Sequence, residues 1–70
     1  MNDLIQEIRS RYTTFTASNQ KVANYILQNS NKIIFETLQT AASNAGVSTT
    51  TVVRFSKAFG FSGYAELQQT

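Results

Sequence analysis

The seventy residues contain no cysteine, no histidine and no proline. Without cysteine there is neither a disulfide framework nor a thiolate metal site. Without histidine, and with acids only at Asp3, Glu7, Glu36 and Glu66, the clustered titratable groups of acid–base or metal-assisted chemistry are missing. Neither catalysis nor a cofactor is expected. Long apolar runs are also missing: the longest run of large apolar residues, Ile33-Ile34-Phe35, falls far short of a membrane span, and Asp3 and Glu7 interrupt any basic-then-apolar leader. A cytoplasmic protein with no membrane partner is expected. No repeat and no linker-like stretch divides the chain.

What remains suits one small folded unit. A chain of this length buries only about 60% of the surface its unfolded form exposes, so a second domain does not fit. The hydrophobic fraction of 41% supports a core, and the charged fraction of 14% is too low for a disordered tail. The formal net charge of +2 is compatible with phosphate binding without arguing for it. The placement of the charges has to decide.

Apolar spacing predicts an all-α, compact bundle of about five short helices. Leu4, Ile5, Ile8 and Tyr12 recur at three- and four-residue intervals, and Thr13-Thr14 then weaken helicity. Thr16 is a suitable N-cap for a second helix with Val22, Ala23, Tyr25, Ile26 and Leu27 as its buried stripe, fading near Asn29. Ser30 or Asn31 is expected to cap a short helical turn carrying Ile33, Ile34 and Phe35. A strand there would find no partner and would leave backbone groups unpaired. Thr37 is expected to cap a helix from Leu38 to about Ala45, ended by Gly46 in a left-handed conformation. Ser48 then caps a helix over residues 49–59 with Val52, Phe55 and Phe59 inward and Gly60 terminating it. Ser62 is expected to open a last helix, with Tyr64 and Leu67 packed.

Two short helices joined by a glycine-containing turn constitute a helix-turn-helix, whose second helix enters the DNA major groove. Residues 37–59 meet that description. Ala41, Ala42 and Ala45 are small enough for close approach of the two helices, and Val47, Val52 and Phe55 close the core between them. Subtracting the buried positions leaves an outer face of Ser48, Thr49, Thr50, Val53, Arg54 and Lys57. Ser48, Thr49 and Thr50 offer hydroxyls and free amides to phosphates or base edges. Arg54 has the fork that bonds guanine N7 and O6 bidentately, Val53 suits a thymine methyl, and Lys57 suits a phosphate. Thr37 and Gln39 sit at the start of the preceding helix, where a phosphate contact is also expected. The partner implied is double-stranded DNA, met by a homodimer joined through the first helix.

Blander readings compete with these. Arg54 could pair with Glu66, Thr49 and Thr50 could serve only local hydrogen bonding, and the bundle could be a helical protein-interaction or dimerisation module without base readout. Phe55, Phe59, Phe61 and Tyr64 could form a stacking platform for single strands, although their helical spacing favours a packed core.

A longer pattern runs through the chain: Phe15-Thr16-Ala17-Ser18 followed by Val22-Ala23-Asn24-Tyr25-Ile26, then Ala42, Ala45-Gly46-Val47-Ser48, then Thr51-Val52-Val53-Arg54-Phe55, Phe59-Gly60-Phe61 and Gly63-Tyr64. Together these resemble the N-terminal domain of the RpiR family of bacterial transcriptional regulators. The resemblance implies a cytoplasmic repressor or activator, usually of sugar-metabolism genes. It further implies a C-terminal sugar-isomerase-type domain, absent from these residues, that binds a phosphosugar effector. Three positions depart from the family pattern: Asn19 where Glu often completes a capping box, Ala41 where a larger aliphatic is usual, and Gln68-Gln69 where basic residues are common.

Overall fold

The computed structural model describes residues 1–70 and contains six α-helices, one 3-10 turn and no strand. Helix α1 spans Asn2–Arg11 and buries Leu4 and Ile8, with Ile5 half-buried beside them. Its charges follow the helix dipole, Asp3 in the first turn and Arg9 and Arg11 in the last. Thr13 and Thr14 fall in a tightened 3-10 turn, Tyr12–Thr14, after which Phe15 is extended at ψ 147°. Thr16 then caps α2, Ala17–Gln28, its hydroxyl accepting from the Asn19 amide at 3.3 Å. Helix α2 buries Val22, Ala23 and Ile26, with Tyr25 and Leu27 half-buried on the flanks of that stripe.

The short helix expected next is a single turn, α3, Ser30–Ile33, and it differs from expectation in two ways. Its cap is Asn29 rather than Ser30 or Asn31. The Asn29 side chain turns back to donate to the Tyr25 carbonyl at 3.2 Å, so it serves the end of α2 and offers α3 nothing. And of the three apolar residues only Ile33 is buried, while Ile34 and Phe35 lie in the turn beyond it, 42% and 86% exposed. A single helical turn presents only one residue to the core.

Helices α4, Leu38–Ala45, and α5, Thr49–Ala58, follow as expected. The last helix, α6, covers Tyr64–Gln68 and starts two residues later than Ser62 suggests: Gly63 is its cap, and the Ser62 amide instead donates to the Glu66 carboxylate at 2.6 Å. Glu66, the third residue of α6, thus reaches one residue past the cap, where a capping box would return to the amide of Gly63 itself. Glu66 is thereby engaged and makes no ion pair with Arg54; the ion pair present joins Glu7 and Arg11 at 3.1 Å.

Residues from every helix meet in one apolar core in which Ile8, Ile26, Phe55 and Leu67 are almost wholly enclosed. Phe15, at the mouth of α2, sets its ring edge-on to Phe55 at 5.6 Å and to Phe59 at 5.8 Å. The Arg11 guanidinium lies 4.3 Å above the Phe59 ring, a cation–π contact tying the end of α1 to the end of α5. These rings satisfy one another and Phe55 is 1% exposed, so they form core rather than a platform for unpaired bases. No helix is long and apolar enough to cross a membrane.

Candidate nucleic-acid interface

The interface is built from the turn outward. Gly46 takes φ +79° and ψ +31°, and the amides that follow turn back onto α4: Gly46 N–H to the Ser43 carbonyl at 3.2 Å, Val47 N–H to the Ala42 carbonyl at 3.0 Å. The second bond, reaching five residues back along the chain, is the mark of a Schellman ending, which needs a left-handed residue where glycine stands. Two residues later Ser48 caps α5, accepting from the Thr51 amide at 3.2 Å and sharing a hydrogen bond with the Thr51 hydroxyl at 3.0 Å. One glycine and one serine therefore set where α4 stops, where α5 starts and the angle between them. Ala41 and Ala42, each 2% exposed, let α5 approach α4 closely.

On α5, Val52, Phe55 and Ser56 are buried. The Ser56 hydroxyl escapes the cost of burial by donating to the Val52 carbonyl one turn back, at 2.9 Å. Spacing puts this serine on the buried face, four residues after Val52 and three before Phe59; its polarity is what kept it out of the predicted stripe. Opposite the buried stripe, Thr50, Arg54 and Lys57 are exposed at helical spacing on one face. Thr49 and Val53 are half-buried, so they border this face rather than project from it. Ser48 is exposed, as are Thr37 and Gln39 at the start of α4. Thr37 is already engaged: it accepts from the Thr40 amide at 3.1 Å and donates to the Thr40 hydroxyl at 3.0 Å. The eight residues thus fall on the first turn of α4 and the outer side of α5, joined by the Gly46 turn.

Charge sharpens this face. Between Thr37 and Ala65 there is no acidic residue, and the charges present are Arg54 and Lys57. Neither is in an ion pair, since the acids lie on α1, before α4 and on α6. The amides of Thr49 and Thr50 have no intrahelical acceptor, as the first turn of any helix requires, so the capped end of α5 also favours an anion.

One polar cluster holds α4 against α2 and a second ties α6 to the turn before α4, and hydrophobic patterning reveals neither. The Tyr25 hydroxyl donates to the Glu36 carboxylate at 2.5 Å, and Asn44 donates to both, at 3.1 and 3.3 Å. Burial, followed by the Glu36 carboxylate, raises the Tyr25 pKa. On the other side of Glu36, the Tyr64 hydroxyl donates to the Ile33 and Glu36 carbonyls at 3.1 and 2.9 Å. Gln68 Nε2 donates to the same pair at 2.9 and 2.7 Å. Gln68, one of the positions where the family pattern is basic, is thus committed inside the domain.

A glycine-ended helix followed by a serine-capped helix with a cationic outer face defines a helix-turn-helix, the DNA-binding unit of transcriptional regulators. More particularly, the chain belongs to the rpiR family of helix-turn-helix domains, which matches it over residues 2–70. Among related proteins, the transcriptional regulator HexR of Pseudomonas aeruginosa is 40% identical over 68 residues, spanning 97% of this chain and 24% of that protein. YfhH of Escherichia coli, also an HTH-type transcriptional regulator, is 35% identical over 97% of this chain and 24% of its own. Among solved structures, Vibrio vulnificus NanR complexed with ManNAc-6P superposes with a TM-score of 0.88 at 34% identity, over 93% of this chain and 25% of NanR. The N-terminal domain of ybbH from Bacillus subtilis gives 0.87 at 29% identity, over 93% of this chain and 79% of that one. The chain therefore spans about a quarter of the length of HexR and YfhH.

Proposed function

We propose that this domain reads duplex DNA with α5 in the major groove, as the N-terminal part of a cytoplasmic regulator of sugar-metabolism genes. The observation that carries the reading is the outer face of α5: two cations without internal partners, on a segment free of acids, beside a helix start with open amides. Arg54 is the base reader, suited to guanine, with Val53 at the border of the face for a thymine methyl. Lys57, Ser48, Thr49 and Thr50 take phosphates or nearby base edges, and Thr37 and Gln39 hold the backbone at the start of α4. The domain works as a homodimer on half-sites about 34 Å apart. A phosphosugar effector acts through a C-terminal domain of sugar-isomerase type. NanR, solved with ManNAc-6P, is the relative that supports this part of the reading.

The reading is tested by fluorescence titration of wild type and Arg54→Ala against the cognate operator and random duplex. Loss of a bidentate base contact weakens operator binding by about 1–3 kcal/mol and random binding much less. Equal losses on the two duplexes would reject base reading by Arg54.

A further inference from the structure

Four of the five phenylalanines pack against the rest of the domain; Phe35 does not. It is 86% exposed, with Ile34 beside it at 42%. Looseness does not explain this exposure. The carbonyls of Ile33 and Glu36, on either side of the pair, each accept hydrogen bonds from Tyr64 and from Gln68 of α6, and the Phe35 amide donates to the Lys32 carbonyl at 3.0 Å. The turn is pinned from both flanks, and a large apolar side chain is held into water at the cost of its hydration. A rigid aromatic displayed in this way needs little ordering when it docks and therefore makes an efficient anchor.

We infer that Ile34 and Phe35 are the docking anchor for the polypeptide that follows α6 in the whole regulator, the segment connecting this domain to the effector domain. The inference rests on the reading above that such a domain follows Thr70. Its support is positional. Gln68, in the last turn of α6, has its side chain bonded to the turn that carries Phe35, and two residues on the Thr70 carbonyl accepts from the Met1 amino group, so chain leaving α6 sets out from beside the start of α1 and must turn back toward the patch. At about 3.3 Å per residue, fewer than ten residues reach across it. HexR and NanR each carry about three times as much chain again outside the matched part, and the matching ybbH structure is an N-terminal domain. The occupant is an apolar side chain within the first ten or so residues of that connection. Its seat lies two residues from Thr37, the cap of α4, so docking here connects the effector side of the protein directly to the helix proposed to grip the DNA backbone.

The test uses the whole regulator as wild type, Phe35→Ser and Phe35→Leu, under native limited proteolysis with thermolysin, with cleavage mapped by mass spectrometry. Phe35 fills no space in the core, so neither substitution is expected to lower the melting temperature of the domain. In Phe35→Ser, cleavage within the connection accelerates about ten- to hundredfold, the effect of freeing one buried phenylalanine on a rapid opening equilibrium, and Phe35→Leu restores most of the protection. Unchanged cleavage overturns the proposal. If cleavage is unchanged while the oligomer dissociates in light scattering, the occupant is a second copy; if it is unchanged while operator affinity falls, the occupant is DNA. A natural sequence with no domain beyond Thr70 removes the underlying reading before any variant is made, which keeps the two failures distinct.

Discussion

Replacing Gly46 by alanine isolates the backbone contribution of the turn, because a Cβ built there meets nothing within 4 Å. Steric overlap with neighbours therefore contributes nothing, and what remains is the conformation itself, φ +79° with ψ +31°. An L-residue forced into the left-handed region costs about 1–2 kcal/mol. Alanine also narrows the unfolded ensemble relative to glycine and recovers about 0.4–1 kcal/mol. The net expectation is a loss of about 1 kcal/mol, which for a domain of this size lowers the melting temperature by about 4–8 °C. Asparagine tolerates the left-handed region better, so Gly46→Asn should fall between wild type and Gly46→Ala. Gly60, at φ +91° and equally unobstructed, is the internal comparison: its alanine variant should lose a similar amount. Urea titrations with a common m-value measure all three. A Gly46→Ala protein as stable as wild type, or a Gly46→Asn protein less stable than Gly46→Ala, would refute the assignment of the turn to backbone conformation.

Other expectations concern the cap, the base of the fold and the DNA face. Ser48→Ala should lose about 1 kcal/mol of stability with the cap of α5, whereas Ser48→Asp should keep the cap and still bind DNA more weakly, by placing a negative charge at the proposed phosphate site; unimpaired binding by Ser48→Asp would argue against phosphate proximity. Burial, with Glu36 nearby, pushes the Tyr64 pKa up to about 12 from 10.0. A phenol whose pKa is raised by folding stabilises the fold fully below its unfolded pKa. Stability should therefore be complete below about pH 10 and fall as pH rises toward 12, by a total of about 2–3 kcal/mol, and Tyr64→Phe should remove that part of the alkaline slope. Lys57→Ala should weaken operator and random duplex alike and reduce the slope of log affinity against log salt by about one; a selective effect on the operator would make Lys57 a base reader instead.

Much of the architecture is legible in the sequence because it rests on interactions a few residues long. Thr16, Thr37 and Ser48 each accept from the amide three residues on, and Gly46 and Gly60 each stand where the backbone turns left-handed. The outer face of α5 is legible for the same reason: once Val52 and Phe55 point inward, helical spacing leaves Thr50, Arg54 and Lys57 outside. Local logic failed where a residue had two competing partners. Asn29 served the end of α2 instead of leaving the cap to Ser30 or Asn31, and Ser62 yielded the start of α6 to Gly63 because Glu66 reached back to its amide.

Sequence by itself determined the all-helical class, the glycine turn, the caps of α2, α4 and α5 and the acid-free stretch around Arg54, since each depends on neighbours close along the chain. Tertiary structure alone decided how those helices are locked. The hydrogen bonds from Tyr25 to Glu36 and from Tyr64 and Gln68 to the Ile33–Glu36 turn join residues from eleven to thirty-five positions apart, and the Phe15 ring packs on Phe55 and Phe59 from still farther along the chain. No periodicity encodes such pairings; the hydrogen bonds exist only once burial has brought the polar groups together and made leaving any of them unpaired costly, and the ring contacts only once the core has closed.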